Sequence, residues 1–559
     1  MAAVLRRCYR GSRGNRLSVT DTAAPNSHHL SPRAKLEILF AVLLALFMFA
    51  LDQTIVGVAL PSIISDLKGQ ELYAWSITIY LLTSTISGPI YGKLSDLFGR
   101  RPIFIWAVGL FLVASIGAGL SQSMPMFIFF RGLQGLGGGA VFPLAFAVLA
   151  DLYTPAERGK YSGLFGAVFG LSSIIGPAVG GLITDNLSWH FIFFVNVPIA
   201  VISLYVIFRL LPAIKHPEAA RNIDYVGAGL FTAAIAPFLV GLSNRANSDW
   251  TDPWVGGLIL VGVAFGLVFL WWERRVEEPI VVLPLFRIRT FTISVMAMFL
   301  MSFGFLSAIV YLPLWFQVVH GSTATESGYQ LMPLLGALIV SATLSGQIVA
   351  RTHRYKLLII GAMVALTIGL LLLTNLHANT DLVTLWIWMA IAGAGIGPAF
   401  AVFTLIVSAA VPMRQIGTAS SSLTFFQQIG GTIGLTIAST LFASRLTEEV
   451  PKQLVAAGVP QQFVAQFAGN SGSFNLTGTG DLGARILAQV PEQFKPLVEP
   501  LIPNIVNGIH EAISLALGGA IWVGIGAAII AVIAVLFLKE VPLTSSWDEA
   551  GGPPPAAMG

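Results

Sequence analysis

Charged residues are scarce in this chain of 559 residues: they make up 10% of it, whereas soluble globular proteins carry roughly a quarter. Hydrophobic residues make up 55%, and the mean hydropathy is +0.80. A soluble fold of this length cannot bury so much apolar surface and stay dispersed. The composition therefore predicts a membrane protein.

Cysteine is nearly absent, and the common catalytic motifs are missing. The chain has one cysteine, Cys8, which precedes the first apolar segment, so no intrachain disulfide can form. No Walker-type Gly-Lys-Ser/Thr loop is present, which argues against ATP as the energy source. No His/Cys cluster predicts a metal site. We therefore expect no metal, no cofactor and no enzymatic activity.

A cleavable signal peptide is not evident. Residues 1–35 are basic and polar and contain no short apolar run that ends at a small-residue cleavage site. We interpret residues 1–35 as a disordered cytoplasmic tail. Residues 541–559 are rich in proline and are predicted to be a second disordered cytoplasmic tail.

Long apolar runs dominate the rest of the chain. A helix needs about 20 residues to cross ~30 Å of hydrocarbon, and each crossing must be helical because lipid offers the backbone no hydrogen-bond partner. Fourteen runs satisfy this length, near 37–60, 74–95, 102–121, 125–150, 161–183, 191–211, 226–244, 254–272, 291–317, 327–350, 357–376, 382–410, 419–443 and 513–538.

The connections between these spans differ in charge. With the N-terminus in the cytoplasm, the short loops on the other side carry Lys68 and Arg245 alone. The cytoplasmic connections carry Lys93, Arg100, Arg101, Arg158, Lys160, Arg209, Lys215, Arg221, Arg274, Arg275, Arg287, Arg289, Arg351, Arg354, Lys356 and Arg414. The positive-inside rule therefore places both termini in the cytoplasm. The net charge of +4 then reflects topology, and we expect no nucleic-acid partner.

A weak internal repeat divides the chain. The loop Gly92–Arg101 is echoed by Gly346–Lys356, and the tract Gly135–Gly139 by Gly393–Gly397. Each echo lies eight spans later, which predicts two six-helix halves with a substrate pathway between them. The predicted parts are an N-terminal half at 36–211, a two-helix insert at 212–285 and a C-terminal half at 286–540.

One long connection interrupts the second half. Residues 444–512 lie between the last two spans and are largely polar, with short apolar groups at Phe463, Phe467, Leu487 and Phe494. A connection of this length usually either has a function or is disordered. A structural cap, a disordered loop and a substrate-access element all remain open.

Asp52 is the most informative single residue. It lies in the middle of the first span, where a carboxylate is costly and marks a functional site by default. Proton uptake by Asp52 would change its pairing and bias an inward–outward equilibrium. The alternative is a structural aspartate that hydrogen-bonds to a neighbouring helix.

Four motifs together resemble one known family. They are the first-span signature Leu51–Pro61, the loop Gly92–Arg101, the fourth-span motif Arg131–Gly139 and the fifth-span motif Gly176–Gly181. The tract Trp189–Pro198 is family-like as well, whereas Gly57 and His190 depart from the usual Asn and Arg. In this order the motifs resemble the major facilitator superfamily, and within it the fourteen-span drug:proton antiporters. The resemblance implies an all-α polytopic membrane fold and a monomer.

The resemblance assigns proton coupling or recognition of a cationic substrate to Asp52, Arg131 and Gln134. Arg131 lies near the start of the fourth span and is expected to lower the proton affinity of a nearby acid, since a guanidinium does not itself deprotonate. The alternative is that Arg131 extends to the outer membrane interface. Gln134, one turn further on, is placed to hydrogen-bond Arg131 or the backbone.

The loop motif and the fifth-span motif are expected to control conformation. The resemblance implies a cytoplasmic gate in which Arg100 pairs with a carboxylate such as Asp151 or Glu157; the alternative is ordinary topogenic charge. The fifth-span glycines and proline permit a kink and close packing. The gate residues are Gly92, Asp96, Gly99, Arg100, Arg101 and Asp151, and the fifth-span residues are Gly176, Pro177, Gly180 and Gly181.

Four further residues are candidates for a substrate cavity. Trp75 and Tyr80 in the second span are placed to border it, although Trp75 equally suits an interface anchor. Gln427 and Gln428 in the thirteenth span are placed to face the pathway, although buried amides often only join helices.

The leading hypothesis is a proton-driven exporter of amphipathic small molecules in a bacterial cell membrane. Its expected partners are the substrate, protons and the lipid bilayer. The alternatives are an exporter of one metabolite, such as an antibiotic, siderophore or lipid precursor, and a transporter-like membrane sensor. A sensor would need the cavity but not titration of Asp52.

Overall fold

The computed structural model describes residues 30–68, 72–212, 224–245, 248–412, 415–459 and 499–540, together with Gly483, Leu487 and Lys495. Cys8, residues 1–29 of the predicted N-terminal tail and the whole predicted C-terminal tail lie outside this part, as do the basic residues Lys215, Arg221 and Arg414. Residues 32–35 of the predicted N-terminal tail are instead helical. So do Phe463, Phe467 and Phe494 of the long connection.

The N-terminal part is a series of helices joined by short turns. Its helices are α1 (Pro32–Leu67), α2 (Tyr73–Phe98), α3 (Arg100–Gly119), α4 (Met124–Leu152), α5 (Pro155–Asn186), α6 (His190–Phe194) and α7 (Asn196–Leu210). Helix α5 begins with a capping box in which Thr154 and Glu157 satisfy each other's backbone amides. The sixth predicted span corresponds to α6 and α7 together.

The remaining helices complete the bundle. They are α8 (Tyr225–Asn244), a π-helical turn (Pro253–Gly257), α9 (Leu258–Glu273), α10 (Arg289–Val319), α11 (Ala324–Gln330), α12 (Met332–Thr352), α13 (Lys356–Leu373), α14 (Leu382–Ala410), α15 (Ile416–Ala456) and α16 (Ile502–Leu536). A 3₁₀ turn (Leu283–Arg287) precedes α10.

Thirteen of the spans in the described residues are long and apolar enough to cross a membrane. The predicted span at 74–95 is also helical, as α2, but it is more polar because it carries several Ser and Thr residues. Many of these hydroxyls are shielded from lipid, because they are buried against other helices or hydrogen-bonded within α2. The predicted all-α membrane fold is confirmed.

The glycine repeat has the same packing role in both halves. A Cβ on Gly135 would lie 2.5 Å from the Tyr80 carbonyl oxygen of α2, and one on Gly137 would lie 2.6 Å from the Ala107 carbonyl oxygen of α3. A Cβ on Gly393 would lie 2.0 Å from the carbonyl oxygen of Leu334 in α12. Alternating glycines thus let α4 and α14 each pack closely between two helices of their own half.

Close contacts join the two halves at one end of the bundle. We call this end, where α1 begins and α2 ends, the basic face. A Cβ on Gly92 of α2 would lie 2.9 Å from the Gly417 carbonyl oxygen of α15, and one on Gly159 of α5 would lie 3.1 Å from the Gly346 carbonyl oxygen of α12. Arg158 adds donors to carbonyl oxygens on both halves.

The insert formed by α8 and α9 packs against both halves near the basic face. Phe231 of α8 lies against Phe425 of α15, with ring centroids 5.1 Å apart. The linker after α9 is tied to α2 by an ion pair in which Lys93 Nζ lies 2.5 Å from Glu278 Oε2. The insert is therefore attached to the two helices that meet at the basic face.

Helices α15 and α16 are longer than the spans predicted at 419–443 and 513–538. Val450 and Leu454 on the extension of α15 are buried, as are Ile505 and Ile509 on the extension of α16. These apolar positions recur at helical spacing and let the extensions pack together, with Gly508 against the backbone of Gln453. Segments 444–456 and 502–512 are therefore helix, not loop.

Candidate functional site

A buried ion pair joins α1 and α4. Arg131 Nη1 lies 2.6 Å from Asp52 Oδ2. The Asp52 side chain is fully buried and that of Arg131 is 3% exposed. Arg131 therefore points into the N-terminal half and does not extend to the membrane interface. Removing one partner of such a pair typically costs about 3–5 kcal/mol, because the other charge is left uncompensated.

Three amide and hydroxyl side chains complete the network. Gln134 donates from Nε2 to Asp52 Oδ1 at 2.7 Å and accepts from Arg131 Nη1 at 2.8 Å. Asn196, on α7, donates from Nδ2 to Asp52 Oδ1 at 3.3 Å and to Ser115 Oγ at 3.0 Å. The Asp52 carboxylate therefore accepts hydrogen bonds from three side chains on two other helices, α4 and α7, which fix its position.

Tyr80 lies beside this network. The Arg131 guanidinium carbon is 4.1 Å from the centroid of the Tyr80 ring, which is within cation–π range. Tyr80 is buried and also stacks on Phe49 of α1. Because the ring packs on Arg131, it helps fix the guanidinium beside Asp52 and does not border an open cavity.

Helix α5 covers α1 beside Asp52. A Cβ on Gly176 would lie 2.0 Å from Thr54 Oγ1, and one on Gly180 would lie 2.9 Å from Ile55 Cγ1. Thr54 Oγ1 donates to the Ser172 carbonyl oxygen of α5 at 3.1 Å. Any larger residue at Gly176 or Gly180 would push α1 and α5 apart next to the ion pair.

The other two residues of this motif do not contact α1 in the same way. Pro177 lies within α5 and packs against Gly328 of α11, at the end of the bundle opposite the basic face. Gly181 is buried within α5. The motif thus contacts both halves, since α11 belongs to the C-terminal half.

Charges at the basic face form a second cluster. Arg100 pairs with Asp96, and its Nε lies 3.3 Å from Asp151 Oδ2. Glu157, the other candidate partner, instead caps α5. Asp96 and Arg100 are both buried, so this cluster is part of the packed interior and not a solvated charged surface.

Asp96 also binds the start of α15. Its Oδ1 accepts from the Gly417 N–H at 3.2 Å, and its Oδ2 accepts from the N–H and the hydroxyl of Thr418 at 2.8 Å and 2.7 Å. A carboxylate at a helix N-terminus is stabilised by the free N–H groups and by the helix dipole. One side chain of α2 thus connects the N-terminal half to the C-terminal half.

The remaining gate residues are two glycines beside this cluster and one arginine outside it. Gly99, the single residue between α2 and α3, has φ +91° and ψ +156°, a conformation open essentially to glycine alone. Gly92 lies against Ser421 of α15. Arg101 does not join the cluster, because it donates from Nη2 to the Phe208 carbonyl oxygen of α7 at 2.5 Å.

The candidate cavity residues have different surroundings. Gln428 Oε1 accepts from Thr85 Oγ1 at 2.8 Å and so joins α15 to α2, as a buried amide between helices often does. Gln427 is half-buried and Trp75 is 39% exposed. The structure therefore does not gather Trp75, Tyr80, Gln427 and Gln428 into one cluster.

The side of α1 beyond Asp52 is accessible. Gln53 and Gly57, one turn apart and towards the end opposite the basic face, are both exposed. A Cβ on Gly57 would meet nothing within 4 Å. The described arrangement thus joins the two halves at the basic face, through α2 with α15 and α5 with α12, and leaves Gln53 and Gly57 of α1 exposed beyond it.

Sequence reasoning missed several partners. Asn196 and Thr418 each hydrogen-bond a singled-out carboxylate, and Ser115 links Asn196 to Gln134. The one available signal was Asn196, an amide within the apolar tract Trp189–Pro198. No group of three or more His, Cys, Asp or Glu residues able to hold a metal ion occurs within the described ranges.

The chain is similar to known transporters over most of its length. The profile of the Major Facilitator Superfamily matches residues 42–435. The chain is 33% identical over 520 residues to the multidrug transporter protein MdtP of Bacillus subtilis, covering 92% of this chain and 94% of that protein. It is 33% identical over 514 residues to multidrug resistance protein 3 of the same organism, covering 91% of this chain and 96% of that protein.

Solved structures agree on the fold. The proton:xylose symporter XylE matches with a TM-score of 0.58 at 14% identity, covering 91% of this chain and 97% of the symporter. At this identity the match shows the fold alone. Together with the family profile and the Bacillus relatives, these findings show that the chain is a membrane transporter of the major facilitator superfamily, in the group that contains these multidrug transporters.

Proposed function

We propose that this chain exports amphipathic small molecules from the cytoplasm in exchange for protons. The observation that carries the proposal is the Asp52–Arg131 pair, a titratable carboxyl buried within a membrane helix and held by a fixed cation. A buried pair of this kind is sensitive to any proton or cation that competes for the carboxylate. The relatives named as multidrug transporters support the substrate class.

The orientation follows from the basic residues. Lys93, Arg100, Arg158 and Lys356 lie at the same end of the bundle or at helix ends that lead to it, so we place this face in the cytoplasm of a cell-membrane protein. Both termini are then cytoplasmic. We expect a monomer, since the pathway lies within a single chain.

The described arrangement then corresponds to an outward-facing state. Asp96 and Thr418 hold α2 on α15 at the proposed cytoplasmic side, and the exposed residues Gln53 and Gly57 lie towards the opposite end. A proton that reaches Asp52 neutralises the carboxylate and leaves the Arg131 charge unpaired. Because an unpaired buried charge is costly, protonation favours a rearrangement of α1 against α4.

The energetics suit an exporter. One proton moving through a potential of 100 mV supplies roughly 2.3 kcal/mol. That is enough for about a fifty-fold concentration ratio of a neutral substrate per proton, since 1.4 kcal/mol corresponds to tenfold.

A second candidate is the export of one metabolite. The chain is also 32% identical, over 436 residues, to the transporter named for the acurin A biosynthesis cluster of Aspergillus aculeatus. That match covers 75% of this chain and 78% of the relative. Such a transporter would use the same Asp52 chemistry but accept a narrow range of substrates.

Efflux from cells tests the proposal. Cells that express the chain should export ethidium and other lipophilic cations, and a protonophore should stop the export. Asp52→Asn should abolish export. Asp66→Asn is a matched change on the same helix and should retain export, since Asp66 is exposed and accepts from Trp189 Nε1 outside the Asp52 network. Asp52→Glu keeps a titratable carboxyl and controls for folding. Export by Asp52→Asn at the wild-type rate would refute the proposal.

A further inference from the structure

A separate cavity opens at the basic face. It has a volume of about 930 Å³ and lies between the end of α2, the start of α15 and the linker that joins α9 to α10. None of Asp52, Arg131 and Gln134 lines it. Its volume is in the range of pockets that bind drug-sized molecules.

Three of the charged residues on the walls are already paired. Lys93 forms its ion pair with Glu278, and Asp96 forms its own with Arg100. Glu273, the last residue of α9, also lines the cavity, but it makes no ion pair among the described residues. The inner wall therefore carries one buried carboxyl group, Glu273, that has no ion-pair partner among the described residues.

Glu273 is also incompletely hydrogen-bonded. Glu273 is only 3% exposed. Oε1 accepts from the Ile280 N–H at 3.2 Å, and the Val281 N–H faces the carboxylate as well. Oε2 is buried and accepts no hydrogen bond of acceptable geometry from the described residues. A buried carboxylate in this condition is strongly stabilised by a cation.

The rest of the lining contains both charged and apolar residues. Arg274, Glu277 and Arg287 are exposed at the rim, where water solvates them. The cavity is also lined by the apolar residues Leu97, Val276, Pro279, Val282, Leu283 and Pro284. A molecule that matches this lining has one positive charge and an apolar body.

We propose that this cavity is a second binding site, for amphipathic organic cations, with Glu273 as the counter-ion of the cationic group. The cavity shares Asp96 and Thr418 with the contact that closes the basic face. A bound cation thus lies directly against the helices that must separate for the basic face to open. A role in collecting substrate from the cytoplasm rests on the proposed export function; the binding itself does not.

Binding to the purified full-length chain in nanodiscs tests the site. The probe is tetraphenylphosphonium, measured by equilibrium dialysis in an Asp52→Asn background that removes the central carboxylate. Adding Glu273→Gln should weaken binding by about tenfold to a hundredfold, as expected for the loss of a charged partner. Glu277→Gln, which removes the same charge at the exposed rim, should change affinity by less than about twofold. Triphenylphosphine oxide, a neutral compound of similar shape, should bind without regard to Glu273.

A labelling measurement covers the case in which Glu273→Gln folds poorly. In a Cys8→Ser background, Val276→Cys places a thiol in the cavity wall, and tetraphenylphosphonium should protect it from maleimide in the otherwise wild-type chain. Absence of protection, or equal loss of binding in Glu273→Gln and Glu277→Gln, overturns the inference. Protection and Glu273-dependent binding in a chain that exports nothing would support the site while refuting the proposed function. Export by a chain that shows neither protection nor Glu273-dependent binding would support the proposed function and overturn the inference.

Discussion

Asp96 Oδ2 accepts two hydrogen bonds from Thr418, one from its backbone N–H at 2.8 Å and one from its hydroxyl at 2.7 Å. The two residues lie on α2 and α15, in different halves of the bundle. Movement of one half against the other at the basic face must break both bonds. This contact is thus a direct measure of whether the basic face is closed.

Replacing Asp96 should loosen the basic face. Asp96→Asn removes the charge that binds Arg100 and the N-terminus of α15, so the face should open more often. In a Cys8→Ser background, a Ser421→Cys thiol at the interface should react faster with maleimide when Asp96→Asn is added. Asp381→Asn, at the cap of α14, serves as the control and should leave the rate unchanged. An equal rate with and without Asp96→Asn would show that Asp96 does not hold the face closed.

Gly92→Ala should destabilise the closed state by steric overlap. The new Cβ would lie 2.3 Å from Ser421 Oγ and 2.9 Å from the Gly417 carbonyl oxygen, and overpacking of this kind costs about 1–3 kcal/mol. Export and the midpoint temperature of unfolding should both fall. Gly109→Ala, where a Cβ would meet nothing within 4 Å, should resemble the wild type. Adding Ser421→Gly should restore part of the loss; no restoration would place the overlap elsewhere.

The Lys93–Glu278 pair should hold the insert on α2. Both side chains are largely buried, so Lys93→Glu should lower stability by roughly 1–3 kcal/mol through a lost charged bond and a new repulsion. The double variant Lys93→Glu/Glu278→Lys should recover most of the midpoint temperature, since it restores opposite charges at the same two positions. Additive losses in the double variant would mean that the two residues are not energetically coupled.

Tyr80 should act on Arg131 through the face of its ring. Tyr80→Phe keeps that face and should retain export. Tyr80→Ala removes the cation–π contact, worth about 0.5–2 kcal/mol, and opens space beside Arg131, so export should drop. Efflux of ethidium at matched expression distinguishes the two variants. Equal activity of Tyr80→Phe and Tyr80→Ala would show that the Tyr80 ring does not act on Arg131.

The membrane spans could be predicted well because lipid imposes length and apolarity on each helix separately. Asp52 could be found for the same reason, since a carboxylate within an apolar span needs no neighbour to be conspicuous. The loop motif and the two glycine echoes indicated which helices correspond. The structure adds that Gly135 and Gly137 pack against different helices, α2 and α3.

Apart from Asp151 as a partner of Arg100, which the family resemblance implied, partners across helices could not be predicted. Asn196 and Thr418 are ordinary polar residues of membrane helices, and only the fold brings them to Asp52 and Asp96. The extensions of α15 and α16 were missed because their apolar positions are too sparse for a membrane span and become meaningful only when the helices pair. Arg101 shares its motif with Arg100 but faces another helix.

The central claim is that Asp52 carries the exchanged proton, and proton release on substrate binding tests it most directly. Purified protein in weakly buffered detergent solution, with a pH-sensitive dye, receives a lipophilic cation at a pH where export is active. The account predicts release of protons by the wild type and by Asp66→Asn, and none by Asp52→Asn that still binds the cation. Undiminished release by Asp52→Asn would contradict the account and assign the proton to another group.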